Sequence, residues 1–159
     1  MTLYCYVENG QITVGPCNLP VNWKNICNLN TLPDPMLIGL GWLPCTGEAQ
    51  PQVDARYQAV TVTYDIQSDQ VAISYTIVDL DLTAVKTAAV ARLKTRTRQA
   101  ILAEAPDYQQ INAALGILSE GEKAAVVASI NTHRESCNST EASILSATGV
   151  LEIKALMGD

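Results

Sequence analysis

At 159 residues, with 48% hydrophobic and 16% charged positions, the chain has the composition of a folded soluble protein, long enough for one ordinary domain or for a small head plus an extended part. A net charge of −6 argues against a general nucleic-acid binder, because phosphate backbones demand a basic face. No apolar run approaches the roughly 18 residues needed to cross a bilayer, and MTLYCYVENG lacks the basic and apolar regions of a signal peptide, so synthesis in a cytoplasm is expected.

Residues 2–14 alternate around the turn ENG. Leu3, Cys5 and Val7 share one face, Tyr4 and Tyr6 the other, and Asn-Gly suits the two left-handed positions of a type I′ hairpin turn. The block that follows is punctuated by Pro16, Pro20, Pro33, Pro35, Pro44, Gly39 and Gly41. It leaves room for turns and one brief helix over about Pro35–Leu40, with Asp34 as its cap. Trp23 and Trp42 are expected to nucleate this loop-rich subdomain. The polar segment 46–55 reads as a loop or linker. Two alternating runs, YQAVTVTYDI and QVAISYTIVDL, then form a second hairpin in which Val60, Val62, Tyr64 and Ile66 share a face, as do Val71, Ile73, Tyr75 and Ile77.

From Asp81 the pattern turns helical. Residues 83–105 carry a narrow apolar stripe, Val90, Leu93, Thr97 and Ile101, which Pro106 ends. A stripe this close to a heptad seam suits a helix packing against copies of itself. A second segment offers Tyr108, Ile111, Leu115 and Leu118 as one face. A third, from Glu120 to about Ala147, offers Ile130, Cys137 and Ile144, with Gly149 as its stop, and VLEIKALMGD adds a short strand or frayed turn. The fold class expected is therefore α+β: a docking head over residues 1–45, a linker with the second hairpin over 46–82, and a helical oligomerisation region, coiled coil or bundle, over 83–159.

Little points to catalysis. His133 is the sole histidine, and Asp54, Asp65, Asp79 and Asp81 read as strand boundaries and caps rather than as an acid–base pair. IGLGW lacks the G-x-x-x-x-G-K pattern of a phosphate loop. Arg92, Lys94, Arg96 and Arg98 stand two apart on a helix and form a solvated collar rather than one basic stripe. Asn138 heads the sequon NST, which at mid-helix reads as a polar interhelical contact. No catalytic residue, metal ligand or cofactor is expected. The cysteines, at 5, 17, 27, 45 and 137, contain no C-x2-C or C-x4-C pair, which disfavours zinc. They read either as small buried hydrophobes or as bridging thiols, with one left over because five is odd.

The N-terminal block also carries V-E-x-G, G-P, L-P-x-x-W and G-W-L-P at Val7, Glu8, Gly10, Gly15, Pro16, Leu19, Pro20, Trp23, Gly41, Trp42, Leu43 and Pro44, after the aromatic Tyr6. The segments ILAEAPDYQQINAALGILSEGEKAAVV and RESCNSTEASI match A-P-x-x-x-Q-x-N and R-x-x-S-N-x-x-E-x-x-I, except that Cys137 stands where the second pattern has serine. Together these segments, about two thirds of the chain, resemble tail-fibre and baseplate proteins of tailed bacteriophages. The resemblance implies a structural virion protein made in the host cytoplasm. Its expected form is a short tail fibre on the baseplate, homotrimeric, contacting baseplate wedge or other tail proteins and possessing a role in host attachment through a surface receptor. The alternative it implies is a tail-fibre assembly chaperone absent from the mature particle. Cys17, Cys27 and Cys45 fall where such proteins carry polar or variable residues. They are therefore candidates, with Cys5 and Cys137, for bridges within the head or to a neighbour.

Overall fold

The computed structural model describes residues 2–159. They form two compact units, one made of residues up to Val53 with Ala59–Val78, the other of Asp54–Gln58 with Asp79–Asp159. The class is α+β, with the strands in the N-terminal half and most of the helices after them. The units divide near 53, 58 and 78, where the sequence suggested 45 and 82.

In the first unit, β1 (Tyr4–Glu8) and β2 (Gln11–Cys17) form the first hairpin. Asn9 and Gly10 have φ of 53° and 74°, the left-handed pair that the Asn-Gly turn supplies most readily. After a 3-10 turn at Leu29–Thr31 and α1 (Asp34–Gly39), β3 (Trp42–Gly47) pairs antiparallel with β1. The second hairpin, β4 (Gln58–Ile66) and β5 (Val71–Asp79), then joins through β5, which runs parallel to β3. The sheet order is β2-β1-β3-β5-β4. Thr46 and Gly47 are therefore strand residues opposite Ala72 and Ile73 rather than the start of a linker.

Both faces of β1 are covered. Cys5 packs with Leu43 and Val71, and Tyr6 packs on the other side with Leu29, Leu37 and Trp42. Trp23 stands edge-on to Trp42 with ring centroids 5.2 Å apart, and Tyr6 lies 5.2 Å from Trp23 and 5.5 Å from Trp42, so the two tryptophans pack together in one aromatic cluster with Tyr6. Asp34 does not cap α1. Pro33 occupies that position, and the Asp34 carboxylate, one residue inside the helix, accepts the Tyr4 hydroxyl at 3.0 Å.

The β1–β2 register shifts between Tyr4 and Tyr6, leaving the chain at Gly15 pressed against β1. Gly15 has φ of 108°, and a Cβ there would lie 2.5 Å from the Tyr4 carbonyl oxygen and 3.2 Å from Cys5 Sγ. Gly15→Ala is expected to cost about 2 kcal/mol or more, through backbone strain and displacement of β1. A urea melt followed by tryptophan fluorescence checks it, because both tryptophans lie in this unit; an unchanged midpoint would show that β1 yields freely.

In the second unit, α2 (Leu82–Glu104) starts where the Asp81 carboxylate accepts the Ala84 N–H at 2.8 Å and stops before Pro106. α3 (Asp107–Ala114) follows, and α4 (Glu120–Ser146) opens with a reciprocal capping box between Ser119 and Glu122. The final segment is neither strand nor frayed turn. It is α5 (Val150–Met157), whose Val150, Ile153 and Met157 enter the core, and Gly149 is its N-cap rather than the stop of α4, which ends at Ser146 with Ala147 as its C-cap. Their spacing of three and four is a helical face, too short in sequence to stand out without the core it meets.

The expected oligomer seam is largely filled within one chain. Ile144 is fully buried with Tyr57, Val85, Ala89, Ala147 and α5, while Val90 and Leu93 pack against that cluster. Thr97 donates to its own helix at the Leu93 carbonyl, 3.0 Å away, instead of across a seam, and Ile101 and Ile130 are half-buried. A narrow stripe needs only narrow partners, and α4 and α5 supply them.

Of Arg92, Lys94, Arg96 and Arg98, expected as a solvated collar, Arg98 is exposed with no ion pair among the described residues, whereas the other three are paired. Arg92 and Arg96, one turn apart, reach the Asp159 carboxylate at 3.8 and 2.8 Å, and Arg56 reaches it at 3.0 Å. That carboxylate is only 5% exposed and also accepts the hydroxyl of buried Tyr57, whose ring centroid lies 5.6 Å from the Arg56 guanidinium and 5.5 Å from that of Arg92. Lys94, on the other side of α2, pairs with Glu141 at 2.8 Å.

Candidate functional site

The leading candidate is a groove of about 480 Å³ where α2, α3 and α4 meet. α2 contributes Lys94, Thr97, Arg98, Ile101 and Leu102, α3 contributes Asp107 and Gln110, and α4 contributes Arg134, Cys137 and Asn138. Positions three and four apart on each helix share a face, which is why Lys94 with Arg98, and Arg134 with Cys137 and Asn138, present together. Three cations face one carboxylate on these walls. Lys94 is satisfied by Glu141, which also raises its pKa, but Arg98 and Arg134 make no ion pair among the described residues. The groove is therefore locally basic in an acidic protein.

The helix forming one wall is itself unusual. Its residues Tyr108 and Ile111, with Leu115 and Ile117 just beyond, are 62%, 57%, 69% and 65% exposed. The sequence suggested Tyr108, Ile111, Leu115 and Leu118 as one face, yet α3 buries Ala113 and leaves Tyr108 and Ile111 outward. A second apolar surface lies on the β4–β5 hairpin, where Val62, Tyr64 and Ile77 of the alternating faces are exposed and β4 is the outer strand of the sheet.

His133 belongs to a different arrangement. Its Nε2 lies 3.1 Å from Glu104 Oε2, and Ser129 donates to the same oxygen at 2.6 Å. Those two contacts hold Glu104 below the usual carboxylate range, the serine chiefly. In a hydrolytic triad the serine donates to the imidazole and the imidazole to the carboxylate; here both donate to the carboxylate, so this wiring does not activate the hydroxyl. Asp54, Asp65, Asp79 and Asp81 bind Arg56, Gln67, Gln58 and the α2 N-terminus respectively, each separately. No group of three metal-ligating side chains occurs among the described residues.

The cysteines divide. Cys137 is buried at the groove floor on α4, and Cys27 is exposed in the cap. Cys17 ends β2 and Cys45 lies within β3. Cys5 Sγ and Cys45 Sγ stand 3.3 Å apart, and both thiols are raised, Cys5 to about 12, chiefly by burial. All five are free thiols.

Sequence reasoning passed over Arg98, Gln110 and Arg134 as a set, although the signal was present. Lys94 and Arg98 stand four apart on α2, and Gln110, Arg134 and Asn138 all fall in the quoted C-terminal motifs; only the packing of three helices shows that they meet. The chain matches no family model, no curated protein and no solved structure.

Proposed function

We propose that this chain is a non-enzymatic structural component of a phage virion, a short tail fibre or fibre-like appendage held at the baseplate and engaged in host attachment. The observation that carries the reading is the convergence of the resemblance-bearing residues Gln110, Arg134 and Asn138 on one basic groove beside an outward apolar helix. Cations without partners next to exposed apolar side chains suit the docking of an acidic, partly apolar segment of another tail protein. Val90, Leu93 and Ile144 pack within the chain, so the attachment contact is made with a neighbouring tail protein.

The experiment is mass spectrometry of purified particles, wild type against Arg98→Glu/Arg134→Glu. The wild-type chain is expected in the particle, and the charge-reversed chain at least tenfold depleted from it while its thermal midpoint is unchanged, since neither arginine is paired in the fold. Absence of the wild-type chain from particles, with recovery from infected-cell lysate bound to a fibre protein, would establish the assembly-chaperone reading instead. Full incorporation of the variant would remove the groove as the docking site.

A further inference from the structure

We propose that Cys5 and Cys45 are a built disulfide site that closes once the protein leaves a reducing environment, stapling the two ends of the loop-rich cap. The site rests on strand geometry. Tyr4 opposes Pro44 and Cys5 opposes Leu43 across β1 and β3, and the Cys45 N–H donates to the Leu3 carbonyl at 2.7 Å, so the main chains on either side of the thiols are already held. Cys5 and Cys45 project from the same face of the sheet, two residues out of register, into the cluster that includes Leu43 and Val71. Their sulfurs are 3.3 Å apart, about an ångström beyond a disulfide bond, a gap that side-chain rotation and a small strand shift close.

The chemistry requires an oxidant, and a low-molecular-weight disulfide such as oxidised glutathione suffices. Cys45, the more exposed of the two, loses its proton and attacks one sulfur of the oxidant, releasing one reduced thiol and leaving a mixed disulfide on Cys45. Cys5 then loses its proton and attacks Cys45 Sγ, releasing the second reduced thiol. Two cysteine thiols are oxidised, one disulfide is reduced to two thiols, and the protons balance. Burial holds both thiols above their ordinary values, which makes each step slow and suits a closure that happens once rather than a cycling redox centre.

What the bridge encloses gives it a purpose. Between residues 5 and 45 lie β2, the cap with Trp23, and α1, the least regular part of the chain, folded over a small aromatic cluster. Linking its ends restricts the unfolded segment most where regular structure contributes least. The pairing stands on the geometry alone; its timing, in a particle outside the cell, rests on the virion reading above.

The test uses the purified full chain, incubated with oxidised glutathione or with reductant, then denatured, alkylated and mapped without reduction. A linkage joining the peptides of Cys5 and Cys45 is expected, with Cys27 and Cys137 outside it, together with a rise of several degrees in the thermal midpoint followed by tryptophan fluorescence. Cys45→Ser is expected to lose both the linkage and the oxidation-dependent rise, and Cys27→Ser to keep both. A stable glutathione adduct on Cys45 with Cys5 still alkylatable, or a bridge mapped to Cys17 with Cys27 or between chains, would overturn the assignment. Because the isolated chain is used, failure here leaves the virion reading intact, and absence of the protein from particles leaves the pairing intact.

Discussion

Tyr57→Ala is expected to destabilise the helical unit by about 4 kcal/mol, the largest effect of any single substitution there. The ring is fully buried in the cluster that joins α2, α4 and α5, so its removal leaves a cavity where Val85, Ile144 and Ile153 meet. The same change strips a hydroxyl from the Asp159 carboxylate and removes the ring that Arg56 and Arg92 both approach. Tyr57→Phe separates the two contributions, because it keeps the ring and removes only the hydroxyl; about 1 kcal/mol is expected. Far-UV circular dichroism during a urea melt reads both variants. Equal costs for Ala and Phe would mean that the hydroxyl, not the ring, holds the unit together.

The same cluster carries an acid sensitivity whose sign is fixed. The Tyr57 hydroxyl, then Arg96, lower the Asp159 carboxyl from 3.8 to about 2. Arg56 does the same for Asp54, lowering it to about 2. A folded-state value below the unfolded one means a stabilising contribution that is complete above about pH 4 and lost as pH falls through about 2. The arginines around Asp159 are a third to a half exposed, apart from the more sheltered Arg92, so solvent screens part of the attraction and the contribution is modest. In Tyr57→Phe the acid transition is expected to begin at higher pH, because the first of the groups holding Asp159 ionised is gone. An acid titration followed by circular dichroism, wild type against variant, checks the shift.

Trp42→Ala is the second large effect, again about 4 kcal/mol and here in the sheet unit. Trp42 is fully buried between Tyr6, Trp23, Leu29 and Leu37, and it also anchors β3 against β1 through its register with Tyr6. Truncating it removes the surface on which the proline-rich cap condenses. Trp42→Phe is expected to cost much less, about 1 kcal/mol, because the indole N–H has no hydrogen-bond partner among the described residues and only volume is lost. Trp23 remains as the fluorescent reporter in both variants. An alanine variant melting with the wild type would mean that the cap holds by its backbone turns rather than by its aromatic cluster.

The local elements were legible wherever one residue type leaves the backbone little choice. Asn9–Gly10 dictated the first turn, alternation from Tyr57 to Leu80 dictated the second hairpin, and Pro106 dictated the end of α2. The candidate site was less legible, since no motif of catalysis, metal binding or phosphate binding stands in the sequence, and the candidate groove is assembled from three helices. Arg98 and Arg134 are separated by more than thirty positions, and nothing local says that they face the same space.

What the sequence determined by itself was therefore the menu of strands and helices, their turns and caps, and the α+β class, because those follow from propensities and spacings within a few residues. What only the tertiary structure decided was the use of each face. The stripe of Val90 and Leu93 met α4 and α5, Tyr108 and Ile111 turned outward, Cys45 came beside Cys5, and three arginines dispersed in sequence closed around Asp159. Each of these depends on which distant segment arrives to bury a given surface, and burial of apolar area is non-directional, so a sequence pattern marks a face that needs a partner without naming it.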